Sequence, residues 1–140
     1  MQLEERVFSP RPPAEVWARV GDFSRLAEWD PGVARVDRVG TGPVVVGARY
    51  VVHVRVGPWT SPMTYVVEQL EPARVVLRGR SGLFEAVDDV SVAPDGQGTL
   101  VTWRATLSPA GWLAFTEPLW RPGFRRVADA AMAGLRRWLS

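Results

Sequence analysis

From Val33 to Leu107, apolar and polar residues alternate with a period close to two. The alternation breaks at Gly40-Thr41-Gly42-Pro43, Gly57-Pro58, Glu71-Pro72 and Pro94-Asp95-Gly96-Gln97-Gly98. Such a period marks strands with one packed face and one solvated face, and Gly/Pro clusters supply turns, so this stretch predicts about six strands in an antiparallel meander. Residues 2–9 alternate in the same way (Leu3, Arg6, Val7, Phe8) and predict a first strand, ended by Pro10, Pro12 and Pro13. Ala14 to Val20 then offers helix formers with Val16, Trp17 and Val20 on one side and Gly21 as a stop. Asp22 or Ser24 can cap a second short helix running through Trp29, and Pro31-Gly32 has the residues of a type II turn.

From about Pro122 the period changes to that of an α-helix. Phe124, Val127, Ala128, Ala131, Met132, Gly134, Leu135, Trp138 and Leu139 fill one arc, opposite Arg125, Arg126, Asp129, Arg136 and Arg137. The apolar arc is wide enough to predict a helix buried along one side, entered through a kink at Pro118 and Pro122. This order of elements predicts an α+β fold in which a curved sheet of antiparallel strands grips one long C-terminal helix. A sheet and a helix in that arrangement leave space between them, so function is to be sought inside the fold.

Strand parity says which side chains enter that space. Ala48, Tyr50, Val52, Val54 and Val56 share the inner face of one strand; Met63, Tyr65 and Val67 follow on the next, then Val75 and Leu77. A regular turn near Asp95-Gly96 pairs residues whose numbers sum to about 193, which opposes Val92 to Val101, Val90 to Trp103 and Asp89 to Arg104. Asp88 then points inward with Val90. The expected cavity is lined by Trp29, Tyr50, Val52, Val54, Met63, Tyr65, Leu77, Phe84, Asp88, Val90, Trp103, Phe124, Val127 and Ala131, with a volume of roughly 300 Å³.

Composition narrows the picture. A chain of 140 residues, 46% hydrophobic, has the size of one domain spanning 1–140. No apolar run is long enough to span a membrane, the start Met1-Gln2-Leu3-Glu4-Glu5-Arg6 lacks a signal-peptide profile, and cysteine is absent, so a cytoplasmic protein is expected. The isoelectric point of about 9.9 does not indicate nucleic-acid binding. Every one of the 17 basic residues is Arg, 15 acidic residues oppose them, and no basic block occurs.

Chemistry has few candidates. There is no Gly-x-Ser-x-Gly, no His-Glu-x-x-His and no glycine-rich loop opening a helix, so no metal or cofactor is expected. The single histidine, His53, falls on the outer face. Asp88 in an apolar cavity would have a raised pKa and could exchange a proton, or it could be satisfied by backbone or Tyr partners as a structural group. Tyr50 and Tyr65 could orient a ligand or complete the core edge. Among seven Trp, Trp29, Trp103, Trp112 and Trp120 fall at segments that approach one cavity wall or mouth. Leu107 to Arg121 places Trp112, Phe115 and Trp120 as a lid, a portal, or a contact in a homodimer.

Several stretches, taken in order, resemble one known group: Pro12-Pro13-Ala14-Glu15-Val16-Trp17, Trp29-Asp30-Pro31-Gly32-Val33, Gly47, Gly98-Thr99-Leu100-Val101-Thr102-Trp103-Arg104 and Gly134-Leu135. The chain resembles the START-like (SRPBCC) helix-grip superfamily, which includes polyketide cyclase/dehydrase and lipid-transport proteins and is similar in fold to plant pollen allergens. That resemblance implies a seven-stranded antiparallel sheet around the last helix, two short helices after the first strand, and a hydrophobic cavity. It also implies a small hydrophobic ligand such as a polyketide, isoprenoid or lipid, or an aromatase/cyclase or dehydratase activity through cavity Asp and Tyr side chains; some relatives instead act on partner proteins.

Overall fold

A computed structural model describes the backbone of all 140 residues and every side chain except that of Trp112. The elements are β1 (Gln2–Ser9), α1 (Pro13–Val20), a 3₁₀ helix (Phe23–Glu28), β2 (Val33–Val39), β3 (Arg49–Val56), β4 (Trp59–Glu71), β5 (Arg74–Arg80), β6 (Phe84–Asp95), β7 (Gly98–Pro109), a second 3₁₀ helix (Gly111–Thr116) and α2 (Glu117–Leu139). The strands form one seven-stranded sheet in the order β1-β7-β6-β5-β4-β3-β2, all neighbours antiparallel. The β6–β7 register follows the expected sum: Val92 opposes Val101, Val90 opposes Trp103 and Asp88 opposes Ala105. Register shifts between Val33 and Arg35 and between Val67 and Gln69 are bulges, which increase twist and help the sheet curve.

The core lies on the concave side, where Val7, Val52, Val67, Leu77, Val90, Val101, Leu135 and Leu139 are almost fully buried. Burial of a Val or Leu side chain contributes roughly 1.5–3 kcal/mol, so this inner face is the main source of stability. The outer face carries ion pairs. Arg74 reaches both oxygens of Asp89 at 3.0 and 2.9 Å, so Asp89 pairs along β5 and its cross-strand neighbour Arg104 turns to Glu4 at 3.4 Å instead.

Three details differ from the pattern of the chain. The last helix begins at Glu117 rather than Pro122, because Pro118 occupies the first turn, where a missing N–H costs nothing. Pro122 is accommodated inside the helix. The segment through Glu28 is a 3₁₀ helix capped by Asp22, whose carboxylate accepts the Ser24 N–H at 3.1 Å. Pro31-Gly32 is not a type II turn, since Gly32 is not left-handed; the Val33 N–H closes the turn on the Asp30 carbonyl at 3.1 Å, and the Asp30 carboxylate accepts the Gly32 N–H at 2.8 Å.

The two ends of α2 are held differently. At its C-terminal end, Ser9 donates to the Leu139 carbonyl (2.6 Å), Arg19 to that of Trp138 (2.7 Å) and Arg11 to that of Ser140 (3.2 Å). These donors satisfy carbonyls that a helix end leaves open. A Cβ built on Gly134 would lie 2.0 Å from the Trp29 carbonyl oxygen, so only glycine lets α2 touch the chain there. The first half of the helix is much less buried: Leu119 is 83% exposed and Val127 47%. The expectation of burial along the whole apolar arc therefore holds only from Ala131 onward, since the early turns stand over a cavity instead of a packed core.

Candidate functional site

Between α2 and the sheet lies a partly open cavity of about 190 Å³. Its floor is the inner face of the strands: Val52 and Val54 of β3, Met63 and Tyr65 of β4, Ala86 and Asp88 of β6, and Trp103, Ala105 and Leu107 of β7. Leu3 and Glu5 of β1 close one side, while Phe23, Leu26 and Trp29 close another from the 3₁₀ helix and the residue after it. Phe124, Val127, Ala128, Ala131 and Met132 of α2 form the roof. The volume is smaller than the roughly 300 Å³ at the low end of small-molecule pockets. It exceeds the ~150 Å³ that suffices for a single benzene ring in an apolar protein cavity.

Of the positions read from strand parity, Trp29, Val52, Val54, Met63, Tyr65, Asp88, Trp103, Phe124, Val127 and Ala131 reach this space. Tyr50, Leu77, Phe84 and Val90 do not. Tyr50 is buried against Phe23 with ring centroids 5.8 Å apart, so the 3₁₀ helix covers it. Leu77 and Val90 are fully buried in the packed core. Phe84 meets the edge of Trp120 at 5.3 Å, and Trp120 in turn meets Phe124 at 6.3 Å, an aromatic chain from the start of β6 to the first half of α2. Neither Phe115 nor Trp120 is among the cavity lining; Phe115 is 82% exposed, and the Trp112 side chain lies outside the described residues.

Asp88 is the polar centre of the floor. Trp103 Nε1 donates to its Oδ1 at 3.0 Å. Burial raises its pKa from the usual aspartate value to about 6, against the opposing pull of hydrogen bonds from Trp103 and Tyr65. Burial and the neighbouring Asp88 carboxylate hold the Tyr65 phenol well above its ordinary value, so it stays protonated. The Tyr65 ring lies where a Cβ on Gly79, its cross-strand partner, would come within 2.5 Å. Phe23 backs the same ring at 4.9 Å between centroids. Trp29 stands edge-on to Trp103 at 5.2 Å.

Two acidic groups of the lining are absent from the expected set. Glu5 shares the parity of Leu3 and Val7, which would have placed it inward. Asp30 sits in the turn after Trp29, where no periodicity speaks. Burial raises the Asp30 pKa, and the Gly32 N–H opposes that rise. His53 stays on the outer side, its Nε2 2.9 Å from Asp37, and it does not reach the cavity. Among the described residues no cluster of His, Cys, Asp and Glu has the arrangement to hold a metal ion, and no helix is long and apolar enough to cross a membrane.

Residues 1–139 match the family described as Polyketide cyclase / dehydrase and lipid transport. The chain belongs to that family. No curated protein matches it. Among solved structures, a protein from Thermus thermophilus is similar with a TM-score of 0.77 at 16% identity, covering 98% of this chain and 95% of its own. A START superfamily protein from Mycobacterium smegmatis follows at 0.76 and 13%, covering 99% and 96%. The di-domain ARO/CYC StfQ from the steffimycin biosynthetic pathway reaches 0.75 at 11%, with 99% of this chain spanning 50% of that one. At these identities the likeness establishes the START-like fold of this family member.

Proposed function

We propose that this family member acts as a single ligand-binding domain whose cavity takes one small hydrophobic or aromatic molecule. The observation that carries the reading is a 190 Å³ chamber walled by aliphatic and aromatic side chains from both the sheet and α2. Its size favours a frame of one or two rings, and a longer polyketide, isoprenoid or lipid would extend out of the partly open cavity. Phe115 and Leu119, both more than 80% exposed on the segment that leads into α2 and its first turn, are the candidate portal contacts. Native mass spectrometry of the protein purified from its own host tests this. The expected result is one apolar molecule bound per chain; a chain that arrives empty and binds no apolar probe in titration would refute it.

A second reading is favoured by Asp88 beside Tyr65. A carboxyl with a pKa of about 6 exchanges protons readily near neutral pH, and the neutral Tyr65 phenol, on turning its single O–H from Asp88 to the substrate, can hydrogen-bond a carbonyl oxygen as an enol forms. Asp88 as general acid or base with Tyr65 as polariser makes an aromatase/cyclase or dehydratase, the activity class suggested by the family and by the similarity to the ARO/CYC protein StfQ. Tyr50 has no part in it, being packed away from the cavity. Under this reading Asp88→Asn abolishes turnover of a polyketide-like substrate while binding persists; unchanged turnover in that variant removes Asp88 from the chemistry.

A further inference from the structure

We propose that the end of the molecule at which α2 begins docks on the surface of an anionic lipid bilayer, beside the cavity that lies under the first half of that helix. The inference rests on the reading of the cavity as a ligand site and adds the phase from which an apolar ligand reaches it.

The sheet topology gathers the surface. Three connections come to this end: the β3–β4 turn, the β5–β6 turn and the segment from β7 into α2. The Leu83 carbonyl accepts the Ala110 N–H at 2.8 Å and ties the second connection to the third. The Gly32 carbonyl accepts the Arg55 N–H at 2.8 Å, and a Cβ on Gly32 would lie 3.2 Å from Val127, which ties the first to α2. Of the eleven large apolar side chains most exposed among the described residues, six belong to these segments: Val56, Trp59, Leu83, Phe115, Leu119 and Val127. Neighbouring loop tips and a first helical turn that expose such residues together mark an interaction surface.

Charge selects the partner. Arg55, Arg121, Arg125 and Arg126 are exposed on the same segments and make no ion pair among the described residues. Two acids of this end are already engaged, Glu117 with the Met1 amino group at 3.2 Å and Glu85 with Arg78 and Arg80. Free guanidinium groups beside exposed apolar side chains match a surface that is negative outside and apolar beneath. Trp59 suits the headgroup level of such a surface, where indole rings settle. A second copy of the chain fits poorly, because two-fold pairing of this face sets the arginines of one copy against those of the other.

Co-sedimentation of the full chain with extruded vesicles tests the proposal. One set is phosphatidylcholine alone; the other adds phosphatidylglycerol at about three to one. The mixed vesicles are expected to bind at a lipid concentration about tenfold or more below that needed with phosphatidylcholine, and added salt should weaken the binding. Phe115→Ser plus Leu119→Ser, at positions outside the core and the cavity lining, should weaken it about tenfold. Arg121→Gln, Arg125→Gln and Arg126→Gln together should remove the preference for anionic lipid. Val39→Ser plus Val46→Ser, also exposed but at the opposite end of the sheet, should bind as the parent does. No binding to mixed vesicles, or binding that survives both the serine and the glutamine changes at the α2 end, overturns the proposal. So does a dimer in sedimentation velocity that the Phe115→Ser plus Leu119→Ser variant loses while vesicles stay unbound, which would assign this face to a second copy. Titration with naphthalene in the absence of vesicles reports on the cavity separately: uptake of naphthalene without vesicle binding leaves the cavity reading standing and sinks only the docking surface.

Discussion

Asp88 shows how one residue joins folding to the site. Its folded-state pKa of about 6 lies above that of an unfolded aspartate, about 3.9, so between those values the native state keeps a proton that the unfolded chain releases. The stability associated with the protonated group is full below about pH 4 and is lost as pH rises through about 6. A difference of about two units corresponds to about 3 kcal/mol at most. Asp88→Asn retains an acceptor for Trp103 and cannot ionise, so it should be more stable than the parent at pH 7.5, by about 1–3 kcal/mol, and nearly equal to it at pH 4. Urea midpoints at the two pH values check this; a stability difference independent of pH would show that ionisation of Asp88 is not the cause. Gly79 supports the same site from behind. Gly79→Ala forces its Cβ into the Tyr65 ring and should destabilise the fold by about 1–3 kcal/mol, an overpacking cost, seen as a lower thermal midpoint. Asp88 was legible from hairpin parity alone. Glu5 was legible by the same logic through Leu3 and Val7, whereas Asp30 sits in a turn, where side-chain direction depends on a local hydrogen bond that no period encodes.

At the scale of elements, the strands were legible because their inner positions are apolar and their turns are punctuated by Gly and Pro. The start of α2 was not. Pro118 and Pro122 look alike as helix breakers, yet only their distance from the first turn separates a tolerated proline from a costly one. Pro122 removes the N–H that would meet the Pro118 carbonyl, and it does so in the half of the helix that is least buried. The C-terminal half has Ser9, Arg11 and Arg19 on its last carbonyls and Gly134 against Trp29. Opening of α2 should therefore begin at its N-terminal half. Hydrogen exchange is expected to be faster at amides 119–128 than at 131–139, and Pro122→Ala, by restoring a ladder hydrogen bond, should slow the first group selectively. Equal protection along the helix, or slowing spread evenly over it, would contradict this account.

For the whole molecule, the fold separates its charges as well as its apolar groups. Arginine and acid pairs cover the convex face of the sheet, while the concave one is lined mainly by aliphatic and aromatic side chains, with Asp88 hydrogen-bonded among them. The sequence pattern revealed a helix gripped by a sheet and hence a cavity. The volume depends on how closely the 3₁₀ helix and α2 approach, and Phe23 and Trp29 fill space that parity left open, so the chamber is smaller than expected. A ligand in it would touch the sheet floor and also Phe124, Val127 and Ala128 of the loosely held half of α2. Binding should then stabilise the molecule globally and tighten that half in particular. At a hundredfold excess of ligand over its Kd the linkage contributes about 2.7 kcal/mol, equivalent to a rise of roughly 8–10 °C in the thermal midpoint of a domain of this size. The rise should be accompanied by greater protection of amides 119–128 than of β5, which has no side chain in the lining. A ligand that raises the midpoint while leaving those helix amides unchanged would be bound elsewhere on the protein, and the cavity between α2 and the sheet would lose its claim to be the site.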